Sequence, residues 1–520
     1  MLLTVFYKSS IIISGFIFYA QELNAVRRIG FDNDEYIRKQ SEQIARRISE
    51  FGGKLYLEFG GKLFDDYHAA RVLPGFKPDS KLQTLKNIAK DVEIVIVISS
   101  CDIENSKIRR DIGISYDNDV LRLIDAFREF GLFVGSVVIS KYDNQPSAKK
   151  FMERLKSLGI KTYVHYPIAG YPYDVSHIVS PEGFGKNEYI ETERPLVVVT
   201  APGPGSGKMA TCLSQLYHEN ERGIKAGYAK FETFPIWNIP LKHPVNLAYE
   251  AATADLDDVN MIDPYHLEAY GKTAVNYNRD VEVFPVLNAM FERIKGESPY
   301  KSPTDMGVNM AGFCIVDDEA VSDASNQEII RRYFAALCDQ RYGKVKPSVV
   351  EKIEVLMNQA KTSTDDRKTV KAAIARSIDT NNQPAVSIEL NDGRIVTGKT
   401  SKLLGAASAA LLNAVKALAE LPKETMMIAP ETIEPIQKLK TNTLGNHNPR
   451  LHTDEALIAL AISASTDDIA KLAMEQLEKL RGCQAHSTVI LSPIDNDVYR
   501  KLGIDLTCEP QYNTKKLYHR

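Results

Sequence analysis

Apolar runs without polar alternation recur along the first 200 residues, and stretches of helical periodicity separate them. Three runs, Val92–Ser100 ("VEIVIVISS"), Leu132–Ser140 ("LFVGSVVIS") and Lys161–Pro167 ("KTYVHYP"), predict strands, and Leu196–Thr200 predicts another. The helices between them are predicted at Ser80–Lys90, Asp119–Phe130 and Ser147–Leu158. Strands that lack polar alternation are buried on both faces, as in parallel sheets that helices cover. The N-terminal part is therefore predicted to be α/β, with a mostly parallel, doubly wound sheet.

The pattern changes near residue 326, where helical periodicity takes over. Further on, two strand-like runs flank the turn Asn391–Gly393, which is a hairpin signal, and an alanine-rich helical stretch follows at 401–420. Small residues on that helix predict close packing, in a core or at a subunit interface. A long helix is also expected over Asp454–Leu480. We predict a phosphate- or nucleotide-binding α/β domain over 28–325, a helical connector over 326–380 and a smaller C-terminal α/β domain over 381–520.

The N-terminus carries an apolar run at Ile11–Ala20 ("IIISGFIFYA"). This run fits the hydrophobic region of a signal peptide or a short anchor, but a bilayer span takes about 20 apolar residues. We favour the interpretation that residues 1–27 are a spurious or disordered extension and that the protein begins near Arg28.

Composition and charge exclude several classes of protein. The 520 residues include 64 basic and 67 acidic side chains, a net charge of −3, so no basic excess points to a nucleic-acid partner. The six cysteines are scattered without C-x-x-C spacing, which argues against a disulfide framework or a zinc ribbon and suits a reducing cytosol. We expect a cytoplasmic protein with neither a nucleic-acid nor a membrane partner.

The stretch "VVVTAPGPGSGKMAT" (197–211) has the order of a phosphate-binding loop: strand, glycine-rich turn, helix start. It departs from the usual pattern, because Pro202 stands at the first glycine and Met209 replaces the hydroxyl that normally ligates Mg²⁺. The alternative is a turn that merely connects a strand to a helix. The predicted binders of ATP or another phosphorylated ligand are Gly203, Gly205, Ser206, Gly207, Lys208 and Thr211.

Three aspartates are candidate ligands for Mg²⁺, which prefers carboxylate oxygens. Asp257 and Asp258 lie in the segment Lys230–His266, which is too apolar for disorder and is predicted to be ordered, irregular structure over the site. Asp317 follows the apolar run "GFCIV", as an acid does at the end of a strand in many P-loop enzymes. The alternative for these carboxylates is helix capping and solvent exposure.

Five further polar residues are candidates for catalysis or substrate contact. Asp65 and His68 in "DDYHAAR" form a possible proton-transfer pair, or else a solvated face. His447 and Arg450 lie in "GNHNPRLHTDE", and His486 lies in "GCQAHST". We predict that these last three residues line a shared cleft, formed with the N-terminal domain or with a neighbouring subunit.

Several long motifs together resemble a conserved bacterial family of proteins of unknown function. They include "IGFDNDEY", "APGPGSGK", "GNHNPRLHTDE" and "RGCQAHSTVILS", and the resemblance runs from about Arg28 to the end. It implies an α/β N-terminal part, a helical middle and a smaller C-terminal α/β domain. It also implies a chain that starts near Arg28, and it implies no reaction.

The residues themselves suggest a function. We predict a cytoplasmic, phosphate-handling enzyme of the ligase or phosphoryl-transfer type that binds a nucleotide or phosphometabolite at Gly203–Lys208, with Mg²⁺ beside it. The alternatives are a non-catalytic phosphometabolite-binding protein and an oligomeric scaffold built through the alanine-rich helix. A homo-oligomer is expected.

Overall fold

The computed structural model describes residues 28–60, 63–109 and 113–513, so the predicted extension 1–27 lies outside the described residues. The chain divides into two compact units. The larger unit comprises Ile29–Glu250 and Leu256–Ala324, and the smaller one contains the residues from Ser325 on together with Ala251–Asp255.

The larger unit is built on a seven-stranded sheet in which all neighbouring strands are parallel. Its strands in chain order are β1 (Leu55–Phe59), β2 (Val92–Ser99), β5 (Phe133–Ser140), β6 (Lys161–Val164), β7 (Leu196–Thr200), β8 (Gly227–Phe231) and β11 (Gly307–Val308). Two short antiparallel pairs are formed by β3 (Ile108–Arg109) with β4 (Ile114–Ser115), and by β9 (Asn260–Ile262) with β10 (Val275–Tyr277). The spatial order of the large sheet is β11-β8-β1-β7-β2-β5-β6.

Helices connect these strands. They are α1 (Asn33–Glu50), α2 (Tyr67–Val72), α3 (Ser80–Asn87), α4 (Ser100–Glu104), α5 (Tyr116–Glu129), α6 (Pro146–Ser157), α7 (Val175–Ile178), α8 (Lys208–Glu221), α9 (Pro244–Ala252), α10 (Pro264–Tyr270), α11 (Asn278–Lys295) and α12 (Pro303–Met306). The segment predicted to be irregular, 230–266, thus contains α9 and β9 besides its loops.

Successive residues of the buried strands pack into two different cores. In β2, Ile94, Ile96 and Ile98 join a core with α1, α3, α5 and α6, whereas Val95 and Val97 join a core with α8 and α11. Side chains alternate between the two faces of a strand, so a sheet covered on both faces needs apolar residues at every position. This confirms the predicted parallel, doubly wound sheet.

The smaller unit combines helices with a mixed sheet of order β13-β12-β14-β15. Its strands are β12 (Ala385–Glu389), β13 (Ile395–Lys399), β14 (Gln484–Ser487) and β15 (Asp505–Cys508), and β12 and β13 form the predicted hairpin. The remaining helices are α13 (Asp318–Arg341), α14 (Pro347–Gln359), α15 (Lys368–Ile378), α16 (Ala406–Leu418), α17 (Pro430–Lys438), α18 (Thr453–Ser463), α19 (Asp468–Met474) and α20 (Pro493–Lys501). A smaller C-terminal α/β domain is therefore confirmed.

The single helix expected over Asp454–Leu480 is wrong. The structure has α18, then α19, then a short 3₁₀ turn at Leu477–Leu480. The break occurs where the Asp467 carboxylate accepts a hydrogen bond from the N–H of Ile469 and caps α19. Helical periodicity continues across such a break, so the pattern alone did not reveal it. Among the helices of the described residues, none has the length and apolarity needed to cross a membrane.

Candidate functional site

The carboxyl ends of three neighbouring strands, β7, β1 and β8, lie at the same edge of the large sheet. Glu58 of β1 is in register with Val199 of β7 on one side and with Lys230 of β8 on the other. The loop that follows β7 starts two residues beyond Val199. Ligands of parallel α/β sheets bind at this edge, so we take it as the candidate site.

The loop 201–207 leads directly into α8. Gly205 and Gly207 have positive φ angles of 75° and 94°, a region that favours glycine, and Gly207 is the N-cap of α8. The loop carbonyls are held from the end of β5, which β2 separates from β7: Ser140 Oγ donates to the carbonyl of Ser206 at 2.5 Å, and Lys141 Nζ donates to that of Gly205 at 3.1 Å. The first N–H groups of α8 have no intrahelical acceptor and can serve an anion.

Two hydroxyls at this loop are buried without a partner. Ser206 and Thr211 are each 1% exposed, and among the described residues no group accepts from or donates to their hydroxyl oxygens. A buried hydroxyl without a hydrogen bond costs about 1–3 kcal/mol. This cost is expected to persist only where another requirement, such as ligand binding, offsets it.

Lys208 and Glu58 lie on the same side of the sheet, near Cys212 of α8. Burial raises the pKa of the Cys212 thiol well above its usual range, the charge of Glu58 raises it further, and the charge of Lys208 opposes them. Cys212 also packs in the core beneath α8 and α11. The charges of Glu58 and Lys208 thus act on the same thiol.

Lys230 is the centre of a buried ionic cluster at the same edge. Its ammonium pairs with the Asp280 carboxylate, donates to Tyr277 Oη at 3.0 Å and lies 3.3 Å from Glu232 Oε1. Burial alone would lower the pKa of this ammonium, but Asp280, with Tyr277 and Glu232, holds it well above its usual range. Lys230 is therefore a fixed positive charge.

Two carboxylates flank Lys230. Burial raises the pKa of Glu232 to about 7, against the opposing effect of the Lys230 ammonium. Tyr228 Oη donates to Glu58 Oε2 at 2.7 Å.

The raised pKa of Glu232 predicts a pH-dependent stability. In the unfolded chain Glu232 ionises near 4.5, whereas the folded protein holds its proton up to about pH 7. Its contribution is present in full below 4.5 and is lost as pH rises through 7. In Glu232→Gln the side chain is neutral at every pH. The free energy of unfolding of this variant minus that of wild type should therefore increase by about 1–3 kcal/mol from pH 5 to pH 8.

Urea unfolding of both proteins at several pH values measures this difference. Glu268→Gln, an exposed position on α10, is the matched control and should show no such trend. A difference between Glu232→Gln and wild type that is constant from pH 5 to pH 8 would show that Glu232 ionises normally.

Asp65 lies on the segment after β1, and His68 lies in α2, which follows it. Asp65 Oδ2 is 3.5 Å from Arg109 Nη2. The ring of His68 packs edge-on against Phe234 at 5.2 Å and lies 6.2 Å from that of Tyr249. Burial raises the pKa of the Tyr249 phenol, and the charges of Asp258 and Glu232 raise it further.

The three aspartates predicted to bind metal occupy separate environments. The buried carboxylate of Asp258 pairs with Arg279, with Oδ1 2.6 Å from Nε. Asp257 is exposed, with a φ of 57°, and Asp317 Oδ1 accepts from the N–H of Ala320 at the start of α13. The run before Asp317 contains a 3₁₀ turn, not a strand of the sheet. Within the described ranges, no group of three or more His, Cys, Asp or Glu side chains could hold a metal ion.

The three C-terminal candidates differ in exposure. His486 lies in β14 and is fully buried; its Nδ1 is 2.9 Å from Thr507 Oγ1, and burial lowers its pKa. Arg450 Nε donates to the carbonyl of Ser401 at 2.8 Å, and His447 is exposed. In this conformation a ligand can reach His447 but cannot reach the ring of His486.

The structure also shows residues that the sequence analysis missed. His452 Nδ1 lies 3.1 Å from the Asp495 carboxylate, although 43 residues separate them along the chain. The ionic cluster around Lys230 was missed as well. One signal for it was available, because Lys230 and Glu232 interrupt an otherwise apolar run at positions that share one face of the sheet.

The fold and this edge define a two-unit α/β protein whose parallel sheet ends in a glycine-rich loop and a buried ionic cluster. The family model described as "Domain of unknown function DUF1846, N-terminal" matches residues 29–361, and its C-terminal counterpart matches residues 365–518. The chain belongs to this DUF1846 family.

The relatives include uncharacterised "UPF0371" proteins of streptococci. Those of Streptococcus pyogenes serotypes M5 (strain Manfredo) and M18 (strain MGAS8232) are each 59% identical over 495 residues, which is 95% of this chain and 100% of the relative. A relative from Streptococcus uberis is 58% identical over the same length. The predicted resemblance to a bacterial family of unknown function is confirmed.

Proposed function

We propose that this protein binds a phosphorylated small molecule at the carboxyl edge of its large sheet, with the phosphate on the loop Gly203–Lys208. The observation that carries this proposal is the pair of buried, unpartnered hydroxyls of Ser206 and Thr211 at the start of α8. Helix start, glycine backbone and free hydroxyls are the groups that proteins use to bind phosphate.

The backbone supplies most of the binding groups. Ser140 and Lys141 fix the loop through its carbonyls. The N–H groups of the first turn of α8 have no intrahelical acceptor, so they are available for phosphate oxygens. Rotation of the Ser206 and Thr211 side chains would add two hydroxyl donors. Lys208 adds a full positive charge at a helix N-terminus, an unfavourable position that a bound anion compensates.

ATP with Mg²⁺ belongs to the proposed class of ligand, and a phosphoryl-transfer or ligase reaction would use it. Met209 stands where a phosphate-binding loop usually has its Mg²⁺-ligating hydroxyl. We therefore propose that recognition depends on the phosphate, the backbone and Lys208, and that it persists without metal.

The test is Lys208→Ala, with inorganic phosphate and ATP as probes, each with and without Mg²⁺. Loss of a charged hydrogen bond of about 1.5–3 kcal/mol should raise the dissociation constants roughly 10- to 150-fold. Isothermal titration calorimetry measures the constants, and an unchanged melting temperature of the free variant shows that the fold persists.

Lys368→Ala is the matched control, because Lys368 is the first residue of α15 and is 70% exposed. It should leave every dissociation constant unchanged. The proposal is wrong if wild type binds neither phosphate nor ATP, or if Lys208→Ala binds both probes as wild type does.

A further inference from the structure

The ionic cluster around Lys230 lies on β8, two strands away from β7 and the loop that follows it. Val199, Glu58 and Lys230 form one row across β7, β1 and β8. Neighbouring strands are about 4.8 Å apart, so the row spans roughly 10 Å. A small molecule whose phosphate sits on the loop 203–208 extends along this row to the cluster.

The cluster offers hydrogen-bond acceptors to such a molecule. Lys230 is already engaged by Asp280 and Tyr277. Glu232 presents only Oε1 to Lys230, and its Oε2 has no donor among the residues that the structure describes. Glu232 is 15% exposed at its side chain, and Glu58 is also partly exposed.

Gly307 of β11 holds Glu232 in this position. A Cβ at residue 307 would lie 2.7 Å from Glu232 Oε2, so a larger residue at this position would shift the carboxylate. Because the backbone φ of Gly307 is −78°, alanine fits the chain conformation there and would displace only the neighbouring carboxylate.

We infer that the ligand is a phosphorylated sugar or polyol whose hydroxyls donate to the carboxylates of Glu232 and Glu58. The inference rests on the proposed function and narrows it. Carboxyl oxygens accept hydrogen bonds from hydroxyls, and above about pH 7, where Glu232 is ionised, the two carboxylates also repel a second anionic group on the ligand. A hexose phosphate has the length and the hydroxyls to span from the loop to Glu232.

The experiment compares wild type with Glu232→Gln and Gly307→Ala by isothermal titration calorimetry. The probes are inorganic phosphate, glycerol 3-phosphate, ribose 5-phosphate, glucose 6-phosphate and phosphoethanolamine. For wild type we expect at least one sugar or polyol phosphate to bind tenfold or more tightly than inorganic phosphate. In both variants this advantage should fall to threefold or less, whereas the dissociation constant of inorganic phosphate should stay unchanged.

Glu268→Gln, exposed on α10, is the matched control and should keep the full advantage. Gly307→Ala gives an independent test, because it moves the carboxylate of Glu232 without removing it. Three results would overturn the inference and leave the proposed function standing. In the first, both variants keep the tighter binding of sugar phosphates over inorganic phosphate. In the second, wild type binds sugar phosphates no more tightly than inorganic phosphate. In the third, wild type binds phosphoethanolamine more tightly than the sugar and polyol phosphates. Failure of every probe to bind wild type would overturn the proposed function and the inference with it.

Discussion

Arg367→Met is expected to lower the free energy of unfolding of the smaller unit by about 3–5 kcal/mol. Arg367 is 1% exposed, and its guanidinium makes four hydrogen bonds within the smaller unit. The acceptors are Thr507 Oγ1 at 3.1 Å, Gln484 Oε1 at 2.5 Å, and the carbonyls of Ala485 at 3.2 Å and Asp505 at 2.7 Å. Methionine fills the space but removes all four hydrogen bonds. The Ala485 carbonyl keeps a donor in Thr507 Oγ1, whereas each acceptor that finds no other donor costs about 1–3 kcal/mol.

The charge of Arg367 persists at neutral pH. Burial lowers the pKa of its guanidinium to about 10, with Asp505 acting in the opposite direction. Arg367→Lys keeps the charge but not the planar fork of donors, so it should recover less than half of the loss.

Hydrogen exchange measured by mass spectrometry on peptides from β14 and β15, together with urea unfolding, checks this prediction. Arg500→Met is the matched control, because Arg500 lies in the same unit, is 55% exposed and pairs with Asp497 at the surface. It should cost less than about 1 kcal/mol. Equal losses for Arg367→Met and Arg500→Met would show that the buried hydrogen bonds contribute nothing.

Lys230→Met should cost the larger unit about 3–5 kcal/mol, the usual effect of removing one partner of a buried ion pair. Lys230 is 7% exposed and Asp280 is 5% exposed, so the Asp280 carboxylate would stay buried without its cation. Unfolding of this unit can be followed by the fluorescence of Trp237, the one tryptophan of the chain.

Two further variants separate the ion pair from simple packing. The double variant Lys230→Met/Asp280→Leu removes both charges and should regain most of the loss, because no buried charge stays unpaired. Lys156→Met, an exposed position on α6, should change the free energy of unfolding by less than about 0.5 kcal/mol. A double variant as unstable as the single one would show that the cost comes from lost packing and not from the unpaired carboxylate.

Much of the larger unit could be predicted from local pattern. The strand at Leu196–Thr200 and the start of α8 at Lys208 lie where the sequence predicts them, because apolar runs, glycine and helical periodicity act over a few residues. The hairpin around Asn391–Gly393 follows from its turn chemistry in the same way. The sequence by itself therefore determined these elements, the two-faced burial of the sheet and the glycine-rich turn that leads into α8.

The tertiary structure decided which of these elements meet. β1 lies between β7 and β8, although about 140 residues separate it from β7 along the chain, and this order alone brings Glu58 beside Lys230. Nothing in a local pattern specifies the partner of a strand, because the pattern records only which positions are apolar. The same limit hid the pairing of His452 with Asp495.

The tertiary structure also determined which polar residues are buried. His486 and Arg367 have polar side chains, which are usually exposed. Both nevertheless lie inside the smaller unit, where they form hydrogen bonds with residues of strands that are distant in the sequence. A polar side chain can be buried only when partners from other elements reach it, and those partners exist only after the chain has folded. The sequence determined which residues carry charge and where the strands lie. The fold determined which of those charges are buried, which are paired and which share the sheet edge with the glycine-rich loop 201–207.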